Sequence, residues 1–143
     1  MKSRVLFLCS GNSARSQMAE GWLRHLAGDR FDAFSEGTHP VGLNPGSVEA
    51  MAEIAIDISG HHSKNVSEFM TQPFDHVITV CDRAKESCPL WPGSTHLLHW
   101  SFDDPAAATG SEEERRHLFR RVRDEIAEQI RHFLTQRAKP HGS

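Results

Sequence analysis

Tyrosine is absent from the 143 residues of this chain, and cysteine occurs only three times, at positions 9, 81 and 88. Three cysteines are too few, and of the wrong parity, for the disulfide framework of a small secreted domain. Long hydrophobic runs are also missing, since no apolar segment approaches the ~20 residues that a membrane helix needs. The run nearest the start, residues 5–8, is too short for the apolar region of a signal peptide. We therefore expect a cytoplasmic protein without a membrane segment.

An excess of charge of one sign is lacking as well. The chain has 16 Lys and Arg against 19 Asp and Glu, a formal net charge of -3. This balance argues against generic nucleic-acid binding, although it allows one local basic site. With 38% hydrophobic and 24% charged residues, the composition is typical of a soluble globular protein. The length suits one domain, which we predict over residues 1–138, followed by a short tail over 139–143.

Short apolar segments rich in strand formers alternate with helical stripes along the chain. Strands are predicted over residues 4–8, 31–36, 75–80 and 94–100. Helices are predicted after the first strand, from Asn44-Pro45 onwards, and from a capping box formed by Ser111 and Glu114. This alternation predicts an α/β fold in which a parallel sheet of four strands carries helices on both faces, as a three-layer sandwich.

Reactive residues follow three of the predicted strands. Cys9 follows the first strand, Cys81 follows the third, and Asp104 lies just beyond the fourth. In sheets of this kind, ligands bind outside the carboxyl ends of the strands. We therefore expect two thiols and a carboxylate around one crevice.

The segment between the first strand and the first helix has the composition of an anion-binding loop. It contains Cys9, Ser10, Gly11, Asn12, Ser13, Ala14, Arg15 and Ser16. Small residues allow successive amides to turn inward, the helix dipole adds positive potential, and an arginine binds an oxyanion with a bidentate fork. The same field stabilises a thiolate, because a cysteine at a helix N-terminus can have a pKa of roughly 3.5–7.5. Cys9 is thus predicted to be a nucleophile.

These residues resemble a known family. The stretch VLFLCSGNSARSQMAEG, together with DDPA at residues 103–106, is similar to the low-molecular-weight protein tyrosine phosphatases, which have a flavodoxin-like fold. The resemblance implies that Cys9 is the nucleophile, that Arg15 binds the oxyanion and that Asp104 is the general acid. It extends to about residue 135, with an uncertainty of a few residues at the boundary.

The two further cysteines resemble those of the thioredoxin-coupled arsenate reductases that share this fold. The resemblance implies that Cys9 attacks arsenate, that Asp104 protonates the departing hydroxyl, and that Cys81 then attacks the sulfur of Cys9 and releases arsenite. Cys88 next forms a disulfide with Cys81, which thioredoxin or another thiol reductant reduces. No cofactor is implied.

Two alternatives stay open. A phosphatase acting on phosphate monoesters needs only the first cysteine, and a non-catalytic oxyanion or metalloid sensor would bind arsenic without turnover. Related phosphatases carry tyrosines just after the Asp-Pro turn, where this chain has Ala106, Ala107 and Ala108. The absence of those rings favours a small inorganic oxyanion as the substrate.

Metal sites are not predicted. The ten histidines lack the spacing and context of a structural zinc site. Some related reductases bind potassium through Asn, Glu, Ser and Asp, and the matching positions here are Asn12, Glu20, Ser35 and Lys64. A lysine cannot ligate a cation, because it has no acceptor. We predict that the Lys64 ammonium takes the place of the ion or that no ion binds.

Overall fold

The chain folds around one parallel sheet. The computed structural model describes residues 2–65, 73–80 and 95–138. Within these ranges the strands are β1 (Ser3–Cys9), β2 (Phe31–Gly37), β3 (His76–Thr79) and β4 (His96–His99). The helices are α1 (Arg15–Ala27), α2 (Pro45–Ala52) and α3 (Glu112–Ala138), and Pro105–Ala107 form a single 3-10 turn. The strand order is β2-β1-β3-β4 with all pairs parallel, which confirms the predicted four-stranded sheet.

Strand β1 is central because its apolar side chains suit a position with a neighbour on each edge. The last five residues of β1 are buried. The register pairs Cys9 with Gly37 at the end of β2, and it pairs Leu8 with Thr79 at the end of β3. The carboxyl ends of the three strands therefore lie side by side, where the sequence predicted the crevice.

The main core lies on the face of the sheet that the described helices cover. Val5 and Phe7 of β1 are buried against Met18 of α1 and Ile126 of α3, in one cluster of apolar side chains. Each such side chain stabilises the fold by roughly 1.5–3 kcal/mol when fully buried. Because side chains alternate along a strand, Leu6 belongs to a second, smaller cluster with Phe74 and Val77. This core fixes the start of α1 at the edge of the sheet, one short loop after Cys9.

Two helix starts agree with the sequence. Asn44 Oδ1 accepts a hydrogen bond from Gly46 N at 2.8 Å, and Pro45 is the first residue of α2. Ser111 Oγ accepts from Glu114 N at 3.1 Å at the start of α3. Both side chains satisfy amides that a helix leaves without an internal acceptor. The predicted caps are thus confirmed.

Strand β4 is shorter than predicted. It was expected over residues 94–100 but spans His96–His99, because it pairs with the four residues of β3 alone. Residue 94 and the predicted tail over 139–143 lie outside the described residues.

Candidate active site

The loop between β1 and α1 is held in shape through its carbonyl oxygens. Four of them accept hydrogen bonds from backbone amides after β2: Thr38 N to Cys9 O (3.1 Å), His39 N to Ser10 O (2.8 Å), Val41 N to Gly11 O (3.0 Å) and Asn44 N to Ser13 O (2.9 Å). The remaining carbonyl, that of Asn12, accepts from Gln17 Nε2 at 3.0 Å and Ser63 Oγ at 2.7 Å. In a trans peptide the following N–H points away from the C=O. These bonds therefore direct the amides of the loop to its other side, as an anion cradle requires.

Asn12 is the residue at which the loop turns. It is fully buried, and its φ of 48° lies in the left-handed region, which asparagine tolerates better than most residues. Its Nδ2 donates to Ser16 Oγ at 2.9 Å, and its Oδ1 accepts from Lys64 N at 2.8 Å. Gly37 approaches the same turn so closely that a Cβ there would lie 2.7 Å from Ser10 O. The Asn12 side chain and the close approach of Gly37, at the end of β2, thus fix the backbone of the loop.

Cys9 lines the cavity that this loop borders. Cys9 is buried, with 3% of its surface exposed. The cavity has a volume of about 640 Å³, and its described lining is Cys9, Ser10, Gly11, Ser13, Ala14, Arg15, Thr38, His39, Val41, Asp104, Ala106 and Ala107. Six of the eight residues from Cys9 to Ser16 therefore line it, while Asn12 and Ser16 are buried behind it. The arrangement places Cys9, the predicted nucleophile, beside a cavity bordered by the predicted oxyanion loop.

Arg15 connects the loop to the far side of the cavity. Its Nη1 donates to Phe102 O at 3.1 Å, and its Nη2 lies 3.5 Å from Asp104 Oδ2. Its Nε is buried and has no hydrogen-bond partner among residues 2–65, 73–80 and 95–138. An oxyanion in the cavity would supply an acceptor for that N–H and a countercharge for the guanidinium.

Two neighbouring carboxylates at the rim point in different directions. Asp104 Oδ1 accepts from Ala106 N at 3.0 Å, which caps the 3-10 turn, and its Oδ2 faces Arg15. Asp103 Oδ2 instead accepts from Arg121 Nη2 of α3 at 2.7 Å. Asp104, and not its neighbour Asp103, is the carboxylate that lines the cavity with Cys9.

A buried carboxylate lies on α1 behind the loop. Glu20 Oε1 accepts from Ser35 Oγ at 2.7 Å, and its Oε2 lies 2.9 Å from Arg24 Nη2 and 3.4 Å from His61 Nε2. The ammonium of Lys64 donates to a backbone carbonyl at 2.8 Å. Arg24 is therefore the cation in contact with Glu20, and the Lys64 ammonium does not take the place of the ion, which was the first of the two predicted outcomes. The second outcome, that no ion binds, stays a prediction. A guanidinium on the carboxylate and a lysine in place of an acid do not fit a potassium ion.

His61 links this carboxylate to the loop. Its Nδ1 lies 3.0 Å from Gln17 Oε1, while the Gln17 amide nitrogen donates to the carbonyl of Asn12. Burial lowers the pKa of His61; Glu20 opposes this effect and Arg24 reinforces it. A neutral imidazole with its hydrogen on Nδ1 donates to Gln17 Oε1, and its Nε2 accepts from Arg24 Nη1 at 3.0 Å. The sequence analysis missed Gln17, Arg24 and His61, and the only local signal was the i,i+4 spacing of Glu20 and Arg24.

Three further predictions concern the second and third cysteines, a metal site and a membrane segment. Cys81 and Cys88, expected to complete the thiol relay, lie outside the described residues. Within the described ranges, no cluster of three or more His, Cys, Asp and Glu side chains is placed to hold a metal ion. None of the helices in these ranges combines the length and the apolar character needed to span a membrane.

Comparison with known proteins gives consistent matches. The low molecular weight phosphotyrosine protein phosphatase family matches residues 4–141. An arsenate reductase of Halalkalibacterium halodurans is 48% identical over 132 residues, which cover 92% of this chain and 95% of the relative. A solved arsenate reductase in its oxidized state is 29% identical with a TM-score of 0.81, and the match covers 95% of this chain and 98% of that one. A thioredoxin-dependent arsenate reductase of Corynebacterium glutamicum is 27% identical with a TM-score of 0.74, covering 94% of this chain and 61% of that one.

Proposed function

This chain belongs to the low molecular weight phosphotyrosine protein phosphatase family, and we propose that within this family it is an arsenate reductase. The observation that carries the proposal is the cavity in which Cys9, the oxyanion loop, Arg15 and Asp104 meet. The 48% identity to an arsenate reductase supports arsenate as the substrate. The described lining also supports a small oxyanion, because it contains no Phe, Tyr or Trp side chain on which an aryl group could stack.

The first step is nucleophilic attack by Cys9 on arsenate. The loop amides and the guanidinium of Arg15 bind the arsenate oxygens, and the same positive field favours the thiolate over the thiol. The Cys9 sulfur forms a bond to arsenic while one As–O bond breaks. Asp104 gives its proton to the departing hydroxyl, which leaves as water. Arsenic is still in the +5 state in the covalent adduct.

The second step reduces arsenic with two electrons from two thiols. Cys81 attacks the sulfur of Cys9, so a Cys9–Cys81 disulfide forms and the sulfur–arsenic bond breaks with its electron pair on arsenic, which leaves as arsenite. Cys88 then attacks Cys81, releases the Cys9 thiolate and leaves a Cys81–Cys88 disulfide. Each exchange needs an accessible thiolate and a good leaving thiolate.

The last step returns the enzyme to its reduced form with a dithiol protein. We assign this role to thioredoxin, since a structural neighbour is a thioredoxin-dependent arsenate reductase. A relay that starts from three free thiols suits the reducing cytoplasm. Arsenate and thioredoxin are thus the two proposed partners, and the proposal includes no cofactor.

Replacement of the second and third cysteines separates this function from its alternatives. We expect the wild-type protein to consume NADPH in the presence of arsenate, thioredoxin and thioredoxin reductase, and also to hydrolyse p-nitrophenyl phosphate slowly. Cys81→Ser and Cys88→Ser should each end repeated arsenate reduction and leave the hydrolysis intact. A wild-type protein that hydrolyses the ester without consuming NADPH would be a phosphatase, and one that binds arsenate but does neither would be a sensor.

A further inference from the structure

Two arginines from different helices contact the segment that carries the general acid, which also packs through Phe102 against the main core. Arg15 of α1 donates to Phe102 O at 3.1 Å, and Arg121 of α3 donates to Asp103 Oδ2 at 2.7 Å. These contacts involve the two residues that precede Asp104. Both arginines therefore hold the chain just before Asp104, in addition to Phe102, which packs against the core, and Pro105, which is buried.

Arg121 is itself fixed on its helix. Its second amino group donates to Glu125 Oε2 at 3.0 Å, one helical turn further along α3. The hydrogen bond to Asp103 is the main cause that raises the pKa of Arg121. An arginine carries its charge at every working pH, so the ion pair lasts as long as Asp103 is ionised. A fixed guanidinium anchored at both ends can define where the chain at residue 103 lies.

Asp103 would disturb the site if it turned into the cavity. Two carboxylates on adjacent residues repel each other when neither has a cation, and the charge of one disfavours ionisation of the other. In the structure each carboxylate has its own arginine: Asp103 has Arg121, and Asp104 has Arg15 at 3.5 Å. The cavity therefore receives one carboxyl group and not two.

We infer that Arg121 is a positioning residue for the general acid, because it holds the Asp103 carboxylate against α3 and thereby orients Asp104 towards the leaving group. The inference rests on the proposed function, in which Asp104 protonates the group that Cys9 displaces. If the inference holds, the effect of losing Arg121 should differ between substrates. Loss of Arg121 should slow reactions in proportion to how much the leaving group needs a proton.

Aryl phosphates with different leaving groups test this selectivity. p-Nitrophenolate leaves readily without a proton, whereas phenolate needs one. For Arg121→Gln we expect kcat on phenyl phosphate, and on arsenate, to fall about three- to five-fold, within the range of an exposed ion pair. On p-nitrophenyl phosphate the change should stay within about two-fold by the same reasoning. Asp103→Asn should give the same pattern, and the double variant should be no slower than the slower single one, because the pair acts as a unit.

The pH dependence of kcat adds a readout that a purely structural role would not change. The titratable or charged groups around Asp104 are Arg15, Cys9 and His39 in the cavity and Asp103 beside it, and Arg121 and Glu125 face Asp103. Arg121→Gln leaves the Asp103 charge without a cation, whereas Asp103→Asn leaves the Arg121 charge without an anion. The limb of the pH profile that reports the general acid should then lie at higher pH in Arg121→Gln, because an unpaired negative charge stabilises the protonated acid. It should lie at lower pH in Asp103→Asn, because an unpaired positive charge stabilises the ionised acid.

Arg116→Gln is the matched control. Arg116 lies on the same helix with similar exposure, 43% against 45% for Arg121, and it also contacts two carboxylates, Glu49 and Glu112. In the described part of the chain, its ion pairs and hydrogen bonds go to Glu49 and Glu112 and not to residues 102–104, so its loss should leave the rates on both substrates and the pH profile unchanged. Equal losses on both esters, an unchanged pH profile or a control that behaves like Arg121→Gln would overturn the inference.

The wild-type protein separates this inference from the proposed function. If it hydrolyses aryl phosphates but does not reduce arsenate, the proposed function fails, and the ester series still tests Arg121. If it does both and the variants match the wild type, only the inference fails. A wild-type protein active on neither substrate contradicts both.

Discussion

The oxyanion loop and the acid turn face each other across one cavity but are held in different ways. Every carbonyl oxygen from Cys9 to Ser13 accepts a hydrogen bond from surrounding backbone or from a short uncharged side chain. The segment of Asp104 combines the packing of Phe102 against the core with arginine contacts to Phe102 and Asp103, and the Asp103 side chain is 70% exposed. The proposed anion cradle is thus held by hydrogen bonds at the edge of the sheet, while the proposed proton donor follows a residue held by an exposed ion pair.

This difference matches what each region does. A cradle that stabilises charge in the transition state works best when its dipoles are oriented before the substrate arrives. A proton donor acts only on the leaving group and needs contact with solvent to regain its proton. Changes in the loop should therefore affect every reaction of the enzyme, and changes in the turn should affect only those with a poor leaving group.

Replacement of Cys9 should have the largest effect. Cys9→Ser removes the thiolate that attacks arsenic or phosphorus, and a serine hydroxyl is not ionised at neutral pH. We expect no measurable arsenate reduction and no measurable aryl phosphate hydrolysis, with thermal unfolding close to that of the wild type. Retention of either activity would mean that the nucleophile lies elsewhere.

Replacement of Asp104 should have the next largest effect, limited to poor leaving groups. For Asp104→Asn we expect phenyl phosphate hydrolysis and arsenate reduction to fall about 100-fold or more, the usual contribution of a general acid. p-Nitrophenyl phosphate hydrolysis should fall much less. Asp103→Asn serves as the neighbouring control, with a loss of about five-fold at most. A larger loss of activity in Asp103→Asn than in Asp104→Asn would assign the role of general acid to Asp103.

A methyl group at the edge of β2 should disturb the loop through its backbone. In Gly37→Ala the new Cβ would lie 2.7 Å from Ser10 O and 2.9 Å from Asn12 Cβ, so the loop or the strand must move. We expect the free energy of unfolding to fall by about 1–3 kcal/mol and phosphate to inhibit the enzyme more weakly. Urea denaturation and inhibition by phosphate measure the two effects.

Gly60→Ala is the control for this change, because a Cβ at Gly60 meets no atom within 4 Å. It should alter stability by no more than about 0.5 kcal/mol and leave phosphate inhibition unchanged. If Gly37→Ala behaved like this control, the loop would be less rigid than its hydrogen bonds indicate.

Exchange of potassium for sodium should have the smallest effect. Arg24 already neutralises Glu20 at 2.9 Å, so a cation added there would meet a guanidinium. We expect equal rates of arsenate turnover in potassium and sodium chloride at the same ionic strength. Activation of several-fold by potassium alone would show that the ion displaces Arg24.

The local signals in the sequence were enough to predict the sheet and the loop. The apolar segments, the capping residues Asn44 and Ser111, and the small residues between Cys9 and Arg15 each have a side-chain pattern that reports local structure. The edge of a parallel sheet then placed Cys9 and Asp104 around one cavity, as predicted.

The support behind the loop could not be predicted in the same way. Backbone amides among residues 38–44 donate to the carbonyls of the loop, and hydrogen bonds between backbone atoms do not require particular residue types. The opposite directions of Asp103 and Asp104 depend on Arg121 and Arg15, which are distant in sequence from the turn. Contacts of this kind depend on tertiary structure and not on local pattern.

The most direct test of the central claim is a single turnover of the Cys88→Ser protein with arsenate. Without the third thiol the relay should stop after the electrons have passed to arsenic. We predict about one equivalent of arsenite and, by mass spectrometry of peptides prepared without reductant, a disulfide between Cys9 and Cys81. Release of no arsenite, or a protein in which Cys9 remains a free thiol after arsenite has formed, would contradict the account.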